Sequence, residues 1–393
     1  MRILHVTDAY LPKQGGIEVQ VRDLATHQQL AGHEVEVFTC APPDGSRPGW
    51  GWTAGPTPRR DAAEPPVWRA AVPWPHVPLS NAAVHRLLDE RRPDVVHVHL
   101  SVLSPLGILA VRAAAHRGIP VVVTLHSLWW WASTLYRWAD VLTGWGDWAV
   151  QWTAVSDLAA APLRHILGSR AEVAVLPNGV DAAAWAPRTD PDPDPDPDQE
   201  PARGSGAVEQ VQVVSVMRLA LRKRPRALLR VVRDATALLP DGIRLRLVVI
   251  GDGPQRRAVR RRIRRYGLTD HVMLPGRLDH DAIREVYRHS DLYLAPATLE
   301  SFGIAALEAR CAGLPVIARR RTGIADFVTD GVHGRLAHDD AGLTRALVEL
   351  ATDAARRSEM AERNRTVRPE HSWDDLLQRC DLVYKQAHEL SLG

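Results

Sequence analysis

The sequence predicts an α/β protein of two doubly wound domains, each a parallel sheet covered by helices. Three observations carry this. Apolar strand-like runs alternate with helical stretches in both halves, a proline-rich segment interrupts that alternation near the middle, and 393 residues exceed what one compact core usually serves. The apolar fraction of 45% and charged fraction of 24% exclude a disordered or fibrous chain.

In the first half, "RILHVT" reads as a strand, Gly15 and Gly16 open a helix over "IEVQVRDLATHQQLAG", and "HEVEVFT" is the next strand. The strands "DVVHVHL", "PVVVTLH" and "WTAVSD" follow, separated by helical segments. Residues 188–206 then carry an Asp-Pro repeat and a Gly/Ser stretch. Proline fixes φ and lacks a donor while neighbouring aspartates repel, so this is an extended linker between a first domain, 1–187, and a second, 207–371. Asp190 and Asp192 form an Asp-x-Asp pattern that holds a divalent metal in some sugar-transfer enzymes. Within a proline repeat nothing positions those carboxylates, and no metal is expected there.

After the linker come "VQVVSVMR", the helix "PRALLRVVRDATALL", "LRLVVIGDGP", the helix "AVRRRIRRYG", "VMLPG", "DAIREVYRHS", "LYLAPA", a helix ending near Cys311, "PVIAR" and "GRLA". The last segment, 372–393, has apolar residues at helical spacing and is expected to pack back on the first domain.

Composition sets further bounds. A formal net charge of +3 implies no polyanionic partner, and the Arg-rich helix "QRRAVRRRIRRYG" lacks the aromatic interleaving of a nucleic-acid binder, so it reads as a solvated basic face with Val259 and Ile263 inward. Cys40, Cys311 and Cys380 match no metal-ligand spacing and suit a reducing compartment. No apolar run reaches the roughly 18 residues of a membrane span, and "MRILHVTDAYLP" has no signal-peptide apolar region. A cytoplasmic location is expected. Trp131, Trp138 and Trp145, seven apart, read as one helix face packed in the core, with an acceptor site or a membrane interface as the alternatives.

The candidate site lies in "APATLESFGIAALEARCAGLPVIA". Glu300 sits in a loop at a strand's carboxyl end, Ser301 is the expected helix cap, and Glu308 falls two turns into the helix. The amides of Phe302, Gly303 and Ile304 then point into the cleft, where a helix N-terminus favours an anion and carboxylates suit sugar and ribose hydroxyls. Arg218 and Lys223 are two cations able to neutralise a pyrophosphate. His126 closes the strand "VVVTLH", where ligands of such sheets bind. Each feature has a plainer reading: a solvated helix glutamate, surface arginines, a tight turn, a structural histidine.

Taken together, "YLPKQGGIEVQVRDLATHQQLAGHEVEVFT", "PDVVHVHL", "TLH", "TAVSD", "LPNGVD", "SVMRLALRK", "VVIGDGP", "LPGRL" and "ESFGIAALEARCAGLPVIA" resemble a retaining glycosyltransferase of family four, with the two-domain GT-B fold. Only the Asp-Pro linker and Ala41 to Ala83 lack a counterpart. The resemblance implies a nucleotide sugar between the domains. Glu308 would take the ribose hydroxyls, Glu300 and the amides of Phe302, Gly303 and Ile304 the sugar, Arg218 and Lys223 the diphosphate, and Arg277 with Leu278 the edge of the base. Gly16, beside Gly15, would approach the phosphate, and His126 the sugar or acceptor. Thr322, Gly323 and Asp326 replace a Gly-Gly pair and a glutamate common in relatives, which leaves contacts there and the donor sugar open.

The expected reaction is metal-independent, retaining transfer of a hexosyl unit from GDP-mannose or a UDP-hexose, without a cofactor. The acceptor stays open between a glycan or lipid-linked alcohol at the inner membrane surface and a small soluble alcohol such as an inositol or aminocyclitol. An epimerase or hydrolase on the same architecture and a non-catalytic carbohydrate- or membrane-binding protein are the rivals. A Rossmann dehydrogenase is disfavoured, because no Gly-x-Gly-x-x-Gly turn is followed by a ribose-binding acid.

Overall fold

The computed structural model describes residues 1–12, 15–42, 55–57, 64–69, 77–130, 132–187 and 208–393. The Asp-Pro segment with Asp190 and Asp192, and Trp131, lie outside the described residues. The chain divides into two compact units, Met1–Gly179 with His371–Gly393, and Val180–Glu370.

The first unit contains β1 (Arg2–Thr7), α1 (Gly16–Leu30), β2 (Glu34–Thr39), β3 (Gly55–Thr57), β4 (Val67–Arg69), α2 (Val77–Arg91), β5 (Val95–Leu100), α3 (Pro105–Ala115), β6 (Val121–Leu125), α4 (Ser133–Thr143), β7 (Gln151–Ala154), α5 (Asp157–Leu167) and β8 (Val173–Val175). Its sheet runs β3-β4-β2-β1-β5-β6-β7-β8, parallel except for the β3–β4 pair. Strands buried on both faces read as continuous apolar runs, as in "VVHVHL" and "VVVTL". Strands β3 and β4 fall in the stretch for which sequence offered no counterpart.

The second unit contains α6 (Ala182–Trp185), β9 (Glu209–Val216), α7 (Pro225–Thr236), β10 (Ile243–Ile250), α8 (Arg256–Arg265), β11 (Val272–Gly276), α9 (His280–Arg288), β12 (Leu292–Ala295), α10 (Ile304–Cys311), β13 (Val316–Arg319), β14 (Gly334–Ala337), α11 (Asp340–Thr352) and α12 (Ala354–Thr366). Its parallel sheet runs β11-β10-β9-β12-β13-β14. Leu228, Leu229, Val231 and Val232 of α7 join Leu245, Leu247 and Leu347 in its core. In α8, Val259 and Ile263 are the buried residues, so its arginines face away from that core.

The last helix, α13 (Trp373–Leu392), belongs to the first unit, where Leu376, Cys380, Val383, Tyr384 and Ala387 enter the core with Val21, Leu24 and Val122. Ser372 and Asp375 form a reciprocal capping box at its start. Trp373 stacks on His27 with ring centroids 4.1 Å apart. A Cβ at Gly179 would lie 2.6 Å from the Trp373 ring, so a glycine lets the chain pass there. The division between units falls before residue 180 rather than in the linker. Residues of α6 pack with the second unit because Trp185 sits 5.6 Å from both the Tyr287 and His280 rings.

Candidate active site

In the second unit, β9 and β12 are adjacent, and the chain leaves them in opposite directions along the sheet, to β10 and to β13. Ligands of doubly wound sheets bind at the carboxyl ends of such strands. The loop after β9 carries Arg218 and Lys223, and the loop after β12 carries Glu300. Lys223 Nζ donates to Glu300 Oε2 in a half-buried ion pair. Arg218 is exposed and has no side-chain hydrogen bond or ion pair among the described residues.

Two features hold this edge. Arg224, at φ +56°, grips both Asp340 oxygens at 2.8 and 2.9 Å and donates to the Pro296 carbonyl at 3.0 Å, tying the β9 loop to the β12 loop. The turn after β10 packs against Met217 and Leu219. Cβ atoms at Gly251 and Gly253 would fall 2.0 Å from the Met217 carbonyl oxygen and 2.6 Å from that of Leu219. Gly251 N donates to Gly276 O at 2.6 Å, so exposed Arg277 and half-buried Leu278 border the turn that supports Arg218.

The start of α10 differs from the sequence expectation. Ser301 is not the cap: Gly303, at φ +101°, holds that position, and no side chain caps the helix. A Cβ at Gly303 would meet Ile324 Cγ1 at 2.5 Å. Gly323 N donates to the Glu300 carbonyl at 2.9 Å, and a Cβ on Gly323 would fall 2.1 Å from the Ser301 carbonyl oxygen. The two backbones therefore touch, which delays the helix to Ile304 and places half-buried Glu308 about one turn in rather than two. The amide of Ile304 is in the uncapped first turn. Phe302 is buried with its ring 5.4 Å from Phe327, so its side chain belongs to the core. Thr322 is buried, and its Oγ1 donates to the Arg319 carbonyl at 2.7 Å.

Two tyrosines beneath the glutamates escaped sequence reasoning. Tyr287 OH donates to the Ala305 carbonyl at 3.1 Å, pinning the first turn of α10, and Tyr293 OH donates to that of Val216 at 3.3 Å. Burial chiefly, with the nearby carboxylates, raises both phenol pKa values above the usual tyrosine range. Isolated aromatic residues in a helix and a strand give no spacing signal.

In the first unit, Gly15 caps α1 without a side chain, and a Cβ there would meet Glu18 Oε2 at 2.3 Å. Exposed Gly16 opens that helix. Buried His126 follows β6, with its backbone amide on the Leu100 carbonyl at 2.9 Å and Nε2 3.0 Å from His99 Nδ1. Behind it, ring nitrogens of His5, His97 and His99 lie within 4.8 Å of one another. Asp8, also missed, follows β1 and caps α3, accepting from the Leu106 and Gly107 amides at 3.0 Å each. Burial pushes its carboxyl up to about 6, against the lowering pull of those two amides.

Trp138 and Trp145 do not share one core face. Trp145 is buried in a separate 3₁₀ turn, whereas Trp138 of α4 is 65% exposed. Helix α4 is held from within by Asp140, whose Oδ1 accepts from Gly146 N at 2.7 Å, and by Tyr136, stacked 3.8 Å from Trp129. Its exposed residues include Leu135, Trp138, Val141 and Leu142, flanked in sequence by exposed Trp130. No helix among the described residues is long and apolar enough to cross a membrane.

Two α/β units of this topology, with cations and a glutamate at the carboxyl ends of neighbouring strands, define a GT-B glycosyltransferase. The pattern described as Glycosyltransferase Family 4 matches residues 14–184, and that described as Glycosyl transferases group 1 matches 198–367. The phosphatidyl-myo-inositol mannosyltransferase of Mycobacterium leprae is 29% identical over 397 residues, covering 98% of this chain and 96% of its own. A phosphatidylinositol N-acetylglucosaminyltransferase subunit from Arabidopsis thaliana is 27% identical over 398 residues, covering 100% and 83%. The solved structure of Anabaena HepE in complex with UDP-glucose aligns with a TM-score of 0.73 at 19% identity, covering 98% of this chain and 99% of that one. The chain belongs to the group 1, family 4 glycosyltransferases and is a glycosyltransferase of GT-B fold.

Proposed function

We propose that the enzyme transfers a hexosyl unit, with retention, from a nucleoside diphosphate sugar to a hydroxyl of an inositol-type lipid headgroup, without a divalent metal. The observation that carries the transfer reading is the convergence of Arg218, Lys223 and the uncapped α10 N-terminus on the carboxyl ends of β9 and β12. Breaking the anomeric C–O bond builds negative charge on the leaving diphosphate and positive charge on the sugar. Arg218, Lys223 and the α10 amides stabilise the first, which is the role a metal fills elsewhere. The acceptor oxygen bonds to the anomeric carbon from the departing face and passes its proton to a leaving phosphate oxygen. Glu300, held by Lys223, orients the sugar, and Glu308 takes the ribose hydroxyls. His126 meets a hydroxyl of the sugar or acceptor.

The donor is GDP-mannose or a UDP-hexose. Support for a lipid acceptor comes from the two relatives, both named for phosphatidylinositol substrates, and from the exposed apolar residues of α4, which suit a membrane interface. The test is transfer from labelled GDP- and UDP-sugars to phosphatidylinositol vesicles and to free inositol, in EDTA, with the product anomer read by NMR. An α-linked lipid product is expected. An inverted linkage, or an absolute need for Mg²⁺ or Mn²⁺, would overturn the mechanism.

A further inference from the structure

The buried histidines behind His126 form one continuous hydrogen-bonded chain whose direction is fixed at its far end. Thr153 Oγ1 lies 2.9 Å from the Val123 carbonyl, which can only accept, so the single hydroxyl proton of Thr153 goes there. Thr124 Oγ1, 2.7 Å from Thr153 Oγ1, must then be the donor of that pair. Its oxygen is left to accept from His97 Nε2–H at 2.7 Å, which leaves His97 Nδ1 bare to accept from Tyr384 OH at 2.9 Å. The Tyr384 oxygen accepts from Gln28 Nε2 at 2.7 Å. That sets the amide so that Gln28 Oε1 accepts from His5 Nε2–H at 2.6 Å. His5 Nδ1 accepts from His99 Nε2–H at 2.9 Å, and His99 Nδ1 accepts from His126 Nε2–H at 3.0 Å.

We infer that this chain locks His126 as its Nε2–H tautomer, leaving Nδ1 as an obligate acceptor for a substrate hydroxyl, with Thr153, Tyr384 and Gln28 as positioning residues. One proton per junction requires every imidazole to be neutral, and burial, first among the causes, favours that. It pushes His5 and His126 down to about 4 and His97 and His99 well below the usual range. The relevant nitrogens of His5, His97 and His99 are spent on one another, Gln28, Tyr384 and Thr124, which disfavours the three rings as a ready metal site. Among the described residues His126 Nδ1 has no hydrogen-bond partner. An acceptor nitrogen there selects a ligand that donates, which is the chemistry of a sugar or cyclitol hydroxyl. The anchor also explains why α13 completes the first unit chemically: Tyr384 is the link between the His97 and His5 branches.

The catalytic half of this inference rests on the proposed contact of His126 with substrate; the tautomer does not. Long-range ¹H–¹⁵N correlation spectra of the ¹⁵N-histidine-labelled full chain at pH 7 should show His5, His97, His99 and His126 each protonated at Nε2 alone. An Nδ1–H or doubly protonated ring among the four overturns the chain, as does stoichiometric binding of added Zn²⁺ to it. Thr153→Val removes the anchor and opens the reverse direction, so His126 should populate both tautomers and kcat fall about two- to tenfold with the donor KM little changed. Thr153→Ser, which keeps the hydroxyl, should restore the single tautomer and the rate. A purely structural role for Thr153 predicts one unchanged tautomer in the valine variant, and that result overturns the inference. Mixed tautomers with an unchanged kcat would overturn the substrate contact of Nδ1 while leaving the transfer reaction standing.

Discussion

Lys223 and Glu300 lie 77 residues apart in sequence and form an ion pair joining the loops after β9 and β12. Each has a further task in the proposed reaction, Lys223 at the diphosphate and Glu300 at the sugar, so the pair sets their spacing before substrate arrives. Lys223→Ala should lower kcat by about 10²–10³, the usual loss for one preorganised electrostatic partner, and Glu300→Gln should do so with less effect on donor binding. Because both side chains are partly exposed, the stability cost of losing the pair should be about 1 kcal/mol or less. Steady-state kinetics beside thermal melts separate the two effects. A large drop in melting temperature with kcat intact would make the pair structural.

Arg218 and Glu308 should divide differently. Arg218 has no partner to lose among the described residues, so Arg218→Ala should leave the melting temperature unchanged and chiefly depress turnover. Glu308→Ala should raise the donor dissociation constant about ten- to a hundredfold, as expected for a half-buried carboxylate accepting hydroxyls. Calorimetry with nucleoside diphosphates that lack the sugar checks the second. Equal binding by both proteins would remove Glu308 from the nucleotide.

Outside β3, β4 and β8 the alternation of strands and helices was legible, because both sheets are built from local apolar runs, and the strand-end positions of Arg218, Lys223, Glu300 and His126 followed from it. Three things were not legible. The cap at Gly303 depends on Gly323 passing against Ser301, a contact between separate loops that no local propensity encodes. The histidine chain joins β1, α1, β5, β6, β7 and α13, with His5 and His99 94 residues apart. The seven-residue spacing of Trp138 and Trp145 gave a period without saying that the helix stops between them, so Trp138 of α4 meets solvent while Trp145 is buried in the following turn.

Gly323→Ala should be severe for its size. The added Cβ meets the Ser301 carbonyl oxygen, a backbone atom that cannot swing away, so the Glu300 loop must shift. Donor affinity should fall at least tenfold and stability by about 1–3 kcal/mol. A crystal structure of the variant showing an unmoved loop, with normal affinity, would refute the close approach.

The first unit should lose stability in mild acid. An unfolded histidine takes up a proton near pH 6.5, whereas His5 and His126 resist it until about pH 4 when folded. The unfolded state therefore binds more protons across that window, and stability falls as pH drops from 6.5 to 4, by about 3 kcal/mol for each such group. Asp8 works in the opposite sense, since its folded value of about 6 exceeds the unfolded 3.8 and stability rises as pH falls between them. Two histidines, joined by His97 and His99 shifted in the same direction, outweigh one carboxyl. Denaturant melts between pH 4 and 7 should show a positive slope of stability against pH, reduced in His5→Phe. A flat profile would mean that the rings take up protons in the fold as readily as in the unfolded chain.

Finally, α4 tests the lipid acceptor. Trp138 and Leu142 are 65% and 82% exposed on a helix whose inner side is occupied by Asp140 and Tyr136, so replacing them removes no core packing. Placing each side chain in a bilayer interface contributes about 1–2 kcal/mol, so Trp138→Ser with Leu142→Ser should weaken binding to vesicles containing phosphatidylinositol by about 10²-fold. Transfer to the vesicle-borne acceptor should fall in parallel, while transfer to a water-soluble inositol acceptor and the melting temperature stay as they are. Loss of both activities would place the two residues in the reaction itself, and unchanged vesicle binding would return the acceptor to the soluble class.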